Sequence, residues 1–182
     1  MWPPGIPDLY VSVNVSGRQV GEQGLRQFLT EHARSGDLAS GSLRLELTES
    51  VLIEYTAALE SDLARAVDLG IGIGIDDFGT GFASLTYLRQ FPVTFLKIDR
   101  SFVSELDGGG STAVSAGHPA LVALILQLCG TLRLEAVAEG VERVEEAAAL
   151  LAMGCPYGQG FLYSQPLPIE AVPAYLASHR VH

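Results

Sequence analysis

Asp76 and Asp77 stand side by side after Ile71-Gly72-Ile73-Gly74-Ile75, and Phe78-Gly79-Thr80-Gly81 follows them. Adjacent carboxylates repel each other unless a cation lies between them, so a divalent metal is the natural third party. A strand-to-helix turn with Asp77 as N-cap would use the same two residues. The rest of the chain bears on that choice. Asn14, Glu46, Lys97, Glu139 and Gln159 each fall at or near the end of a separate strand-like stretch. Carboxylates and amides are oxygen donors suited to hard cations, and one lysine among them suits an anionic water or a phosphate. Taken singly, each could equally be a solvated strand end or half of an internal salt bridge. His32, His118, His179 and His182 are scattered, and no His or Cys cluster points to zinc.

The elements that must position these residues follow from hydrophobic period. Val11, Val13 and Val15 alternate with Ser12, Asn14 and Ser16. Leu43, Leu45 and Leu47 oppose Arg44, Glu46 and Thr48, and Leu96 and Ile98 oppose Lys97 and Asp99. Ile71, Ile73 and Ile75 share one face of a central strand. Gly72, Gly74 and Asp76 share the other, where the glycines leave open space. Glu135 to Gly140 predicts a strand bearing Glu139, and Gly158 to Ser164 a last one bearing Gln159. Between them the periodicity predicts helices around Leu25 to Leu29, from Tyr55 to Leu69 with Gly70 as cap, and from Ser84 to Gln90. Further helices are expected from Pro119 to Leu132, Val144 to Met153 and Ile169 to His179. Asp107 to Gly117 reads as a loop.

Strands that alternate with helices imply an α/β fold with a parallel sheet and helices outside it. Buried parallel strands are normally apolar on both faces. Here a polar residue recurs at the C-terminal end of one face, strand after strand. Such residues converge if the sheet curls into a (β/α) barrel, whose site lies at the C-terminal mouth.

With 182 residues the chain is one domain by length, and 48% hydrophobic content allows a sizeable core. Its net charge of −10 disfavours nucleic acid polymers and anionic membranes. Cys129 and Cys155 lack C-x-x-C spacing. With no signal-like start and no apolar run of transmembrane length, they are expected to be reduced thiols in a cytoplasmic protein. Gly72-Ile73-Gly74 lies within a strand and is followed by two Asp, so it is a poor dinucleotide fingerprint. Pro166-Leu167-Pro168 is explained by a turn into the last helix.

The chain resembles the EAL domain family, bacterial phosphodiesterases that act on cyclic di-GMP. The resemblance rests on Asn14-Val15-Ser16, Glu46-Leu47-Thr48-Glu49, Asp76-Asp77-Phe78-Gly79-Thr80-Gly81-Phe82-Ala83-Ser84-Leu85 and Lys97-Ile98-Asp99-Arg100-Ser101-Phe102-Val103. Ala138-Glu139-Gly140-Val141-Glu142, Gln159-Gly160-Phe161 and Pro166-Leu167-Pro168 complete it, in family order. It implies a TIM-like barrel and hydrolysis of cyclic di-GMP to linear pGpG with a pair of Mg²⁺ or Mn²⁺ ions. By that resemblance Asn14, Glu46, Asp76 and Asp77 hold metal, with Asp76 shared between two ions. Lys97 positions or activates the attacking water, and Glu139 is the general base or a metal-site partner. Glu142 and Gln159 support the site and orient the substrate. Glu49 anchors the loop from Phe78 to Ser84, which also shapes a dimer interface in similar proteins.

The family's Glu-Ala-Leu strand, which supplies a further metal ligand, has no counterpart upstream of Asn14. Residues 1–182 therefore read as an EAL-type domain incomplete at its N-terminus, with about six of the eight strands of a closed barrel. An exposed edge would then be covered by a second copy, a missing N-terminal segment or a sensor domain. A receptor that binds cyclic di-GMP without cleaving it, or an interaction module, is the alternative function.

Overall fold

Among the described residues, six strands form one parallel sheet in strictly sequential order, β1-β2-β3-β4-β5-β6. The computed structural model describes residues 9–21, 24–35, 39–53, 56–80, 85–106 and 117–178. The strands are β1 (Val11–Val15), β2 (Leu43–Thr48), β3 (Gly72–Phe78), β4 (Phe95–Ile98), β5 (Glu135–Ala138) and β6 (Tyr157–Gly158). Each is followed by a helix or turn that returns the chain to the same end of the sheet, as parallel pairing requires. The helices are α1 (Gly17–Gly21), α2 (Gly24–Ser35), α3 (Glu49–Ile53), α4 (Ala57–Asp68), α5 (Leu85–Gln90), α6 (Arg100–Val103), α7 (His118–Leu132), α8 (Val144–Ala152) and α9 (Val172–Ser178).

The aliphatic face assigned from the alternation is the outer, helix-covered face. Leu43, Leu45, Leu47, Ile71, Ile73, Ile75, Leu96 and Ile98 are all buried in one core with residues of α2, α4, α7 and α8. Amphipathic spacing gives each helix its contribution: Leu25 and Leu29 from α2, Leu59, Leu63 and Ala66 from α4, Val122, Ile125 and Cys129 from α7. Thr56 caps α4 by accepting the Leu59 N–H at 3.1 Å. Gly70 ends that segment at φ 77°, as its position predicts.

The other face differs from the sequence expectation in one respect. Gly72 and Gly74 do not leave open space. A Cβ on Gly74 would lie 2.1 Å from the Phe95 ring, and one on Gly72 would lie 3.0 Å from the Arg44 side chain. The glycines therefore let neighbouring strands lay large side chains across β3. The Arg44 guanidinium sits 3.7 Å from the Tyr10 ring centroid and 5.0 Å from that of Phe95, and pairs with Glu135 at 2.7 Å. This cluster closes the concave face below the strand ends.

The C-terminal part is less regular than expected. The last strand is two residues long, and Phe161 to Tyr163 form a turn instead of continuing it. Gly160 passes so close to Val141 that a Cβ would meet its backbone at 2.2 Å. The Leu162 N–H bonds to the Val141 carbonyl at 3.0 Å, which folds the segment back. The terminal helix begins as a 3-10 turn (Ile169–Ala171) before α9. Tyr55, Ser84, His179 and residues 107–116 of the expected loop lie outside the described residues.

The sheet is open between β1 and β6 among the described residues. Val11 and Val13 on β1 are 47% and 44% exposed, and Tyr157 on β6 is 47% exposed, so both edges present apolar side chains. Among the described residues no helix is long and apolar enough to cross a membrane.

Candidate active site

Lys97 is the centre of the concave face. It comes from β4, is only 4% exposed, and its Nζ meets three carboxylates. Glu46 Oε2 and Glu139 Oε1 each lie at 2.5 Å, and Asp76 Oδ1 at 3.0 Å. These partners come from the ends of β2, β3 and the residue after β5, so four adjacent strands contribute one group each. Burial alone would lower the lysine pKa, but Glu139, Glu46 and Asp76 outweigh it and hold the ammonium charged well above its usual range. Burial pushes the Glu139 carboxyl up; Lys97 opposes this, Asp76 and Glu46 reinforce it, and the net position is above normal.

Asp77 reaches the same cluster by a local irregularity. Consecutive strand residues normally point to opposite faces. Between Ile75 and Phe78, however, β3 spends three residue steps while β4 spends two, from Leu96 to Ile98. That is a bulge of one residue, and Asp77 absorbs it at φ 54°, in the left-handed region. A bulge with a non-glycine residue in this region is costly and tends to occur where a side chain must be re-aimed. Here Asp76, Asp77 and Glu139 each present a carboxylate oxygen, all within 4.8 Å of one another. Asp77 lies within the strand and does not cap a helix, so the N-cap alternative is not what the chain builds.

Asp77 also interacts electrostatically with Asp99, a residue given no role from the sequence alone. Burial, then Asp76 and Asp99, raise the Asp77 carboxyl. Asp99 is itself disfavoured by burial, but Ser101 holds it ionised through its hydroxyl and its N–H at 2.9 Å. The signal for Asp99 was present: it is two residues beyond Lys97 on the same strand phase.

Asn14 joins from β1. With its amide nitrogen facing inward it donates to Asp76 Oδ2 at 3.2 Å and Glu46 Oε2 at 3.3 Å. Turned the other way, the same amide offers an oxygen to a cation. Gln159 lines a cavity of about 300 Å³ with Glu46 and Lys97, floored by Phe95. Its N–H bonds to the Ala138 carbonyl at 2.8 Å and its carbonyl accepts from Val141 at 3.0 Å, which ties β6 to the segment bearing Glu139. Glu142 is brought to the same loop but is exposed, and Glu49 is buried at the start of α3. The expected Glu49 anchor extends to residues 81–84, which lie outside the described residues.

The donor set fits a divalent cation of the Mg²⁺ or Mn²⁺ class. Asp76, Asp77 and Glu139 form one oxygen triad, while the Asn14 amide reaches both Asp76 and Glu46. With Glu46, Asp76, Asp77 and Glu139 ionised and Lys97 charged, these five groups together carry three net negative charges, a strong demand for cations.

Comparison with known proteins agrees with this geometry. The family model described as EAL domain matches residues 2–166. Cyclic di-GMP phosphodiesterase PA2567 of Pseudomonas aeruginosa is 37% identical over 168 residues, which cover 92% of this chain and 28% of that protein. The chain thus spans little more than a quarter of that relative's length. The crystal structure of the EAL domain of Mycobacterium smegmatis DcpA superposes with a TM-score of 0.82 at 37% identity, covering 95% of this chain and 75% of that one. The PaMucR phosphodiesterase in complex with c-di-GMP gives 0.79 at 37% identity, covering 92% and 66%. On the sequential parallel sheet, the acidic ring at its strand ends and these matches, the chain belongs to the EAL domain family.

Proposed function

We propose that this chain hydrolyses cyclic di-GMP to linear pGpG, using a pair of Mg²⁺ or Mn²⁺ ions. The observation that supports it most is the meeting of Asn14, Glu46, Asp76, Asp77 and Glu139 around Lys97 at the ends of consecutive parallel strands. Charge gives the reason. Two divalent cations would convert three net negative charges into one positive charge, which complements the single negative charge of a phosphodiester. Metal ions bound there would polarise the phosphoryl oxygens, lower the pKa of a water and stabilise the leaving oxygen.

In this reading Asn14, Glu46, Asp76 and Asp77 hold the ions, with Asp76, which neighbours both the acidic triad and Asn14, shared between them. Lys97 holds the water or a phosphate oxygen by charge. Glu139 takes the proton from the attacking water, a task for which a carboxyl raised by burial is suited. The water oxygen bonds to phosphorus, the P–O3′ bond breaks, the departing 3′-oxygen takes a proton from solvent, and Glu139 releases its own to solvent. Gln159, in the cavity beside Lys97, and Glu142, on the exposed loop, orient the substrate, and Glu49 supports the loop after the Asp pair.

The test is product chromatography of the purified chain with cyclic di-GMP and Mn²⁺ or Mg²⁺. Metal-dependent pGpG is expected, and Glu139→Gln should lower kcat by about 10²- to 10⁴-fold while nucleotide binding persists. Binding without any product from the wild type would replace hydrolysis with the receptor reading.

A further inference from the structure

Glu139 and Glu142 lie on an irregular segment between β5 and α8, so something other than strand or helix bonding must hold them in place. The Glu139 N–H bonds to the Ile98 carbonyl at 3.0 Å, and the Val141 N–H bonds to the Gln159 carbonyl at 3.0 Å. Gly140 allows the turn between them: its φ is 64°, and a Cβ there would lie 2.4 Å from Arg100 Cβ. The next two N–H groups have one common acceptor. Glu146, from the first turn of α8, takes the Glu142 N–H at 2.8 Å and the Arg143 N–H at 3.0 Å on the same carboxylate oxygen, Oε2.

Its second oxygen is also engaged. Arg143 Nε donates to Glu146 Oε1 at 2.8 Å, and Arg143 Nη2 lies 2.7 Å from the same atom. The same Nη2 donates to the Ser104 carbonyl at 2.7 Å. Ser104 is the C-cap of α6, whose N-cap is Asp99, two residues beyond Lys97. One carboxylate therefore links the Glu139–Glu142 segment to the segment that follows Lys97. Glu146 is 1% exposed, whereas a glutamate that merely finishes a helix end can do so from the surface. Burying it without such partners would be unfavourable.

We propose that Glu146 is a positioning residue of the active site, acting with Arg143 to hold Glu139 against Lys97 and the Asp76–Asp77 pair. The inference rests on the proposed metal-dependent hydrolysis of cyclic di-GMP. Groups that orient metal-site residues at one remove typically contribute about 10- to 100-fold to metal affinity or activity. Glu146→Ala should lower kcat by about tenfold or more, leave KM within about twofold, and weaken Mn²⁺ binding in calorimetry by about tenfold. Glu146→Gln retains an oxygen for the two N–H groups and should recover most of the loss. Arg143→Met keeps those bonds but removes the link to Ser104, and should fall between.

Thr56→Ala removes the cap of α4, away from the site, and serves as the control for simple helix capping. It should lower the melting temperature without changing kcat or Mn²⁺ affinity. Wild-type kcat and Mn²⁺ affinity in Glu146→Ala, with only a lowered melting temperature, would overturn the proposal. If Glu146→Ala does not fold, Glu146→Asp decides: it keeps the charge but shortens the reach, and wild-type values there would be equally fatal. A wild-type chain that neither binds Mn²⁺ nor yields pGpG removes the underlying function and this inference together. Changes confined to the variants decide the inference alone.

Discussion

Lys97 sets one positive charge against three carboxylates within 3.0 Å, in a position that water hardly reaches. Buried ion pairs are strongly destabilised when one partner is removed, because the other is left charged and unpaired. Lys97→Met, measured by denaturant unfolding in chelator, should therefore cost about 3–5 kcal/mol. A loss below about 1 kcal/mol, the range of exposed pairs, would contradict the buried geometry. The pH dependence has a definite sign. The Lys97 pKa is raised on folding, so its contribution is complete below the unfolded value of about 10.4 and is lost as pH rises through the higher folded value. The gap between wild type and Lys97→Met should stay level from neutrality to about pH 10 and close progressively above that.

At the scale of elements, β3 does two things that its sequence shows only in part. Its glycines were legible as a small face, but what fills that face depends on the neighbouring strand, and only pairing of Gly74 with Phe95 reveals it. Gly74→Ala should cost about 1–3 kcal/mol by overpacking, read by thermal or denaturant unfolding. Unchanged stability would mean that the ring has free space. The alternation placed Asn14, Glu46, Asp76, Lys97 and Glu139 on one phase, and the fold brings all five together. Asp77 breaks that phase, since a bulge is a property of the strand pair and not of either sequence alone. Glu146 escaped because the usual capping signature has Ser or Thr three residues before the acid, and here Arg143 stands in that place. The strand expected from Gly158 to Ser164 stops early because the close approach of Gly160 to Val141 turns the chain away.

Over the whole molecule, sequential parallel order sends every strand's C-terminal end to the same side, so one residue per strand is enough to build a site. The outer face is a continuous aliphatic core; the inner face changes from an aromatic and arginine floor to an acidic rim. Stability and chemistry are thus separated along each strand: the same strand that buries Ile73 and Ile75 delivers Asp76. The most direct measurement of that rim's purpose is a calorimetric titration of the metal-free chain with Mn²⁺, beside Asp76→Asn. Saturable binding of two ions per chain, weakened at least tenfold in the variant, is the predicted result. Absence of binding, or equal affinity in the two proteins, would contradict a metal centre built on Asp76.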